Sequence, residues 1–361
     1  MPDKPPYRVP SMEEIRALPW NGFTAASSFS GCGGSSLGYR LAGFRVGWAS
    51  EFIPAAQDTY RANAAPHTVL DTRDIREVTG AEILAALGLA VGELDLWDGS
   101  PPCASFSTTG KGAAGWGETR KYSDAEQRTD DLFFEYARLI EELQPRTFVA
   151  ENVSGLIKGA AKGYFKLILA RLKAAGYRVE ARLLDAARLG VPQARQRLIF
   201  VGVRDDLDAS PVFPAPLPYA YTVTDAVAGL AAPAGLTHDP DTGYRLTFAG
   251  LTSHDEWLLL RPGQCSRKYL NLVRSHPHKP ANTLIATFAP GRGPTHWSEP
   301  RLFTLAELRR FSGFPDDFTL TGTHAQRSER IGRAVPPVMM AHIAGAVRDH
   351  VLTPLRESGR I

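Results

Sequence analysis

Short apolar runs alternate with amphipathic stretches along the chain from about residue 23 to residue 204. The apolar runs at 23–29, 46–51, 94–97, 147–150, 178–184 and 198–203 predict strands. Helical spacing of apolar positions predicts helices over 35–42, 54–63, 79–87, 131–143 and 161–175, the last stopped by Gly176. Alternation of this kind implies an α/β fold built on a doubly wound, mostly parallel sheet. Residues 1–20 are rich in proline and charge and read as an N-terminal extension, with one amphipathic stretch around 12–18. After Arg204 the rhythm stops. A proline-rich connector covers 210–218, and 219 to about 300 carry scattered Gly, Pro, His, Arg and Trp, as a smaller irregular or β domain would. The last segment, 331–351, becomes an amphipathic helix after Pro336-Pro337. The expected division is an extension (1–20), a main domain (21–215) completed by 328–361, a second domain (216–305) and a hinge segment (306–327).

Composition narrows the class. At 361 residues the chain is long enough for two domains, and 43% hydrophobic with 22% charged residues is ordinary for a soluble protein. Cys32, Cys103 and Cys265 are far apart with no CxxC pair, which argues against a disulfide framework or a metal site and fits a reducing cytoplasm. No apolar run is long enough to span a membrane, and the first residues show no signal-peptide pattern. A net charge of +3 permits an anionic partner without demanding one.

Four constellations carry candidate chemistry. Phe29-Ser30-Gly31-Cys32-Gly33-Gly34 joins the first strand to the first helix, where close glycines allow a sharp turn and close ligand approach. Its spacing differs from GxGxxG, which favours a nucleoside ligand lacking a pyrophosphate; Glu51 and Asp74-Ile75 at the next strand ends suit ribose hydroxyls and an adenine edge. Pro101-Pro102-Cys103 follows a buried strand and places a thiol on a stiff loop at its carboxyl end; to act as a nucleophile it must be a thiolate. Glu151-Asn152-Val153 ends another strand, with Glu151 a plausible proton donor rather than a simple cap. Gln193-Ala194-Arg195-Gln196-Arg197 offers two arginines as an anion or base-carbonyl clamp, the plainer reading being a solvated pair.

In this order the elements resemble the DNA cytosine-5 methyltransferase family. Lys279-Pro280-Ala281-Asn282-Thr283, Gly313-Phe314-Pro315 and Gly332-Arg333-Ala334-Val335 look like its later motifs, so the resemblance runs from about Phe23 to Val347. It implies a Rossmann-like S-adenosylmethionine-dependent methyltransferase domain and a target-recognition domain in the 216–305 region. It implies a base-flipping mechanism on double-stranded DNA, with Cys103 attacking C6 of cytosine and Glu151 acting at N3. Arg195 would hold O2, Arg197 and Asn152 would support the loop and the acid, and Pro102 would shape the loop. Implied cofactor contacts are Phe29, Gly31, Cys32, Gly33, Gly34, Glu51, Phe52, Asp74, Ile75, Pro102, Leu132, Phe314, Arg333 and Ala334. A bacterial or phage-encoded cytoplasmic monomer is the expected setting, either with a cognate restriction enzyme or working alone. Arg245, Arg261, Arg267, Lys268 and Arg274 are candidates for base or phosphate contacts. A tRNA cytosine-5 methyltransferase on the same scaffold is the nearest rival, disfavoured by the size of region 219–300. A nicotinamide oxidoreductase would not need these motifs together.

Two positions depart from the family pattern. Ala104 stands where Gln is common, and Arg333 stands where the motif Gly-Asn-x-Val has Asn. A guanidinium about 5 Å from a sulfonium costs roughly 3 kcal/mol at an effective dielectric near 20. Either Arg333 pairs with a carboxylate or a DNA phosphate, or the cofactor carries the anion. The second case would be carboxy-S-adenosylmethionine, giving 5-carboxymethylcytosine.

Overall fold

Strand β1 (Thr24–Ser28) consists of five small residues, four of them buried. Such a strand belongs inside a parallel sheet covered on both faces. It does so here. The protein is described as a computed structural model covering residues 4–102, 120–122, 125–127, 131–158, 161–230, 235–269, 271–286 and 293–361. Cys103 and Ala104 lie outside the described residues.

Helix α1 (Met12–Ala17) precedes β1. Then follow α2 (Gly34–Leu41), β2 (Arg45–Ser50), α3 (Pro54–Asn63), β3 (Val69–Asp71), α4 (Gly80–Leu87) and β4 (Leu96–Gly99). A short antiparallel pair, β5 (Arg120–Tyr122) and β6 (Ala125–Gln127), comes next. The sheet resumes through α5 (Leu132–Leu143), β7 (Thr147–Val153), α6 (Ala161–Ala174), β8 (Tyr177–Asp185) and β9 (Gln196–Arg204). The sheet has seven strands in the order β3-β2-β1-β4-β7-β9-β8. Pairings from β3 to β7 are parallel, and β7–β9 is antiparallel. The doubly wound, mostly parallel arrangement is therefore present.

The chain forms two compact units. One comprises Arg16–Leu184, Gln196–Ala215 and Met340–Ile361; the other comprises Met1–Ile15, Asp185–Arg195 and Pro216–Met339. In the sheet unit, Trp48, Trp97 and Tyr136 stack at ring separations of 5.8 and 6.1 Å. Gly99 makes room for this stack: a Cβ there would lie 2.5 Å from the Tyr136 ring and 2.6 Å from Ser28 Oγ. Burial of these rings removes well over a hundred Å² of apolar surface each from water. Val351 and Leu355 pack with Val203 and Leu207, which brings the C-terminal segment back to the sheet unit.

The second unit contains α7 (Val223–Val227), α8 (Thr252–Leu259), β10 (Val273–Arg274), β11 (Pro294–Thr295), α9 (Leu305–Phe311) and α10 (His324–Arg333). The core of this unit includes Phe248, Trp257, Leu260 and Leu272. Helix α11 (Pro337–Val347) starts in this unit's last residues and continues in the sheet unit's C-terminal segment, which also holds α12 (Thr353–Glu357).

Several local expectations shift. The helix expected after Pro336-Pro337 is present as α11, whereas residues 331–333 of that segment belong to α10, which the two prolines cannot extend. Asp74 does not end β3 but caps a 3-10 turn (Ile75–Glu77), accepting from Arg76 N–H. The 306–327 segment carries most of α9 and the start of α10, and residues 185–195 group with the second unit.

Candidate active site

At the carboxyl ends of β1 and β2 the chain builds a strained turn. Phe29 has φ 54°, and Gly31 and Gly33 have φ 57° and 94°. A left-handed phenylalanine is costly and is tolerated where neighbours fix it. Glu51 supplies the fixing contacts: Oε2 accepts from Gly31 N–H at 2.7 Å and Oε1 from Ile53 N–H at 2.7 Å. A Cβ at Gly31 would meet nothing within 4 Å, so the turn faces open space. Cys32, Gly33 and Gly34 are buried behind it, and α2 starts at Gly34. Phe52 is half-buried beside Glu51 in sequence, and Ile75 is buried. Asp74 pairs with Arg76 at 2.9 Å, and Arg76 also pairs with Asp131 at 2.5 Å, next to buried Leu132. An acid locking an open glycine turn fits a nucleoside-bearing cofactor.

At the next strand ends, β4 and β7 run parallel with Gly99 opposite Ala150. Asn152 is 3% exposed, and its Nδ2 donates to the Pro101 carbonyl at 3.2 Å. That bond fixes the start of the loop through half-buried Pro102. On the antiparallel neighbour, Arg197 opposes Val153, two residues from Glu151. Residues two apart on one strand share a face, so the side chains meet. Arg197 Nε lies 2.6 Å from Glu151 Oε1, and Arg197 also donates to the Gln196 carbonyl. The structure thus brings together Pro101, Pro102, Glu151, Asn152 and Arg197.

Arg195 behaves differently. It is 2% exposed and lies in the second unit, where it donates to the carbonyls of Leu284 at 3.1 Å and Gly332 at 3.0 Å. Gln193 holds the same segment, accepting from Leu284 N–H and donating to Phe311 O and Ser312 Oγ. Phe314, Arg333 and Ala334 also belong to this unit. Arg333 pairs with Glu329, one helical turn back on α10, at 2.6 Å. Its charge therefore has a carboxylate partner within its own helix. Among the basic candidates, Arg274 is held internally, donating to Trp297 O and Leu260 O over the Trp257 ring. Arg261, Arg267 and Lys268 are exposed.

Sequence reasoning missed Asp98. It lies in β4, is 1% exposed, and accepts from Ser27 Oγ at 2.7 Å and Tyr39 Oη at 2.9 Å. Burial pushes its carboxyl up to about 7 against those two hydrogen bonds, and the Glu151 charge adds to the rise. The available signal was an acid inside Leu96-Trp97-Asp98-Gly99, a strand otherwise buried and apolar.

Among the described residues no group of His, Cys, Asp or Glu could hold a metal ion, and no helix is long and apolar enough to cross a membrane. Comparison with known proteins shows the family. The chain is 32% identical over 334 residues to the type II methyltransferase M1.HphI of Haemophilus parahaemolyticus, covering 88% of this chain and 85% of that protein. It is 33% identical to M.SacI of Streptomyces achromogenes, covering 81% of each. In fold it resembles a protein described as a DNA modification methyltransferase encoded within an E. coli prophage. That match has a TM-score of 0.74 and 23% identity over 92% of this chain and 100% of the other. A Spodoptera frugiperda DNMT2 variant gives a TM-score of 0.65 at 16% identity over 90% and 99%. The sequence model for C-5 cytosine-specific DNA methylases matches residues 23–349, and the chain belongs to that family, as a DNA cytosine-5 methyltransferase.

Proposed function

We propose that the protein flips a cytosine out of duplex DNA and methylates C5 through a covalent adduct on Cys103. The observation that carries this reading is the linked set at the ends of β4, β7 and β9. Asn152 grips the Pro101 carbonyl of the loop leading to Cys103, and Arg197 grips Glu151 at the neighbouring position. Inside a duplex, C5 and C6 are stacked and unreachable, so the base must leave the stack. The Cys103 thiolate adds to C6, forming a C–S bond. Glu151, steadied by Arg197 on Oε1, presents Oε2 to N3 with the proton that neutralises the ring. When bound, S-adenosylmethionine supplies a methyl group on a sulfonium, which the activated C5 accepts. Loss of the C5 proton then restores the double bond and expels the Cys103 thiolate. Phe29, Gly31, Glu51, Phe52 and Leu132 are the sheet-unit residues that would hold the cofactor, and the open glycine turn fits it.

In this reading Arg195 supports the backbone at Leu284 and Gly332, and a role at cytosine O2 would come on top of those bonds. The sheet unit is the catalytic domain, and the region after 216 supplies target recognition through exposed Arg261, Arg267 and Lys268. Relatives named as type II methyltransferases support reading it as the modification half of a restriction system.

Methyl is the transferred group because Arg333 already has Glu329 as its anion. A carboxymethyl donor would have to displace that pair. The test is mass analysis of duplex DNA after incubation with S-adenosylmethionine or carboxy-S-adenosylmethionine. Formation of 5-methylcytosine, abolished by Cys103→Ser, is expected. Preferential 5-carboxymethylcytosine, lost in Arg333→Asn, would overturn the donor assignment, and modification of tRNA alone would overturn the substrate.

A further inference from the structure

None of the steps above uses the buried acid in β4. Asp98 has hydroxyl partners and no cationic partner among the described residues. The Ser27 hydroxyl that donates to it lies 3.1 Å from Ser30 Oγ, and Ser30 Oγ also donates to the Ser27 carbonyl at 2.9 Å. Ser30 sits in the glycine turn, one residue before the Gly31 N–H that Glu51 holds. On the other side, Ser28 Oγ donates to the Asp98 carbonyl at 3.1 Å, and the strand runs on through Gly99 to Pro101 and Pro102. One carboxylate therefore ties the cofactor turn to the strand that leads to the nucleophile.

The surroundings define its chemistry. Ser27 and Ser28 of β1, Tyr39 of α2, Tyr60 of α3, the Gly99 N–H of β4, Tyr136 of α5 and Glu151 of β7 are polar or titratable groups acting on or felt by Asp98. Burying an acid without a counter-ion disfavours the folded state, so stability does not explain it. Groups that weaken a fold are tolerated where function needs them.

We propose that Asp98 is a positioning residue for methyl transfer: as a carboxylate it fixes the Ser27 hydroxyl, and through Ser27 and Ser30 it holds the cofactor turn in register with the catalytic strand. On protonation, the new O–H donates to Ser27 Oγ, and the Ser27 hydrogen turns towards Ser30 Oγ. No bond to carbon changes; the hydroxyl chain reverses direction, and the charge-assisted bond that fixes Ser27 gives way to weaker neutral ones, which loosens the turn. Because burial places the carboxyl near 7, this reversal falls within the working pH range.

The link to the nucleophile rests on the Cys103 reading, whereas the link to the cofactor does not. The experiment uses the full chain and measures methyl transfer to duplex DNA and S-adenosylmethionine affinity from pH 6 to 8.5, for wild type, Asp98→Asn and Ser27→Ala. At each pH the comparison is the ratio of wild-type to variant rate. That ratio is expected to fall about tenfold from pH 8 to pH 6, as for one required carboxylate of pKa near 7. A ratio constant across the range overturns the proposal. If Asp98→Asn does not fold, Ser27→Ala must show the same fall, since it cuts the chain without removing the acid. If wild type transfers no methyl group to DNA, the functional reading fails. The affinity ratio then decides alone, with a fall below pH 7 supporting the coupling and a flat ratio overturning it.

Discussion

Arg197 lies in the sheet unit and pairs with Glu151, whereas Arg195, two residues earlier, lies in the second unit and donates to the carbonyls of Leu284 and Gly332. The contrast extends to the units themselves. Seven paired strands satisfy the backbone of the sheet unit, so side chains at strand ends are free to meet one another. The second unit has two-residue strands and short helices, and its side chains hold the backbone instead. Arg274 caps two carbonyls, and the Arg301–Glu307 pair, each 2% exposed, closes the start of α9. Polar side chains therefore divide into those that pair with one another at strand ends and those that replace missing secondary structure.

Substitutions can break this division. The largest effect is expected at Glu151: Glu151→Gln should slow methyl transfer by about 10²–10⁴-fold, as loss of a general acid does, with little change in melting temperature. Asp98→Asn should move stability the opposite way from activity. Its folded pKa of about 7 lies above the ordinary carboxyl value, so the wild-type fold is penalised as pH rises through the interval between them. The variant should be more stable at pH 8 by up to about 4 kcal/mol, with the advantage gone near pH 4, as read by urea unfolding.

The arginine pair sharpens the comparison directly. Arg195→Ala leaves two buried carbonyls without donors and should cost about 2–4 kcal/mol of stability. Arg197→Ala should instead lower turnover by about ten- to a hundredfold while costing about 1 kcal/mol or less. Melting curves and single-turnover rates separate the two patterns. The smallest effect is expected at Arg333→Asn, where loss of a half-exposed i,i+4 pair with Glu329 should cost about 0.5 kcal/mol and change methyl transfer less than about threefold.

The same division governs what the chain reveals before it folds. The apolar cores of β7 and β9, 147–150 and 198–203, are legible because burial on both faces demands continuous apolar runs, whereas the polar ends of both strands are not. For the second unit the sequence leaves irregular and β structure open, since backbone held by arginines leaves no periodic trace. The resemblance, not spacing, implied that Arg197 supports the acid; the direct pair with Glu151 depends on the β7–β9 register, which no sequence pattern carries. The bonds of Arg195 to Leu284 and Gly332, far away in sequence, left no signal in the chain. Asp98 escaped notice because a buried acid gains meaning only from Ser27 and Tyr39, which come from other elements.

The central claim is covalent catalysis by Cys103 beside Glu151. Duplex DNA carrying 5-fluorocytosine at the target base tests it most directly, because fluorine cannot leave C5 as a proton does. Intact-mass analysis after incubation with S-adenosylmethionine should show the protein joined to DNA, with peptide mapping placing the bond at Cys103. An unmodified protein, or an adduct that persists in Cys103→Ala, would contradict the account.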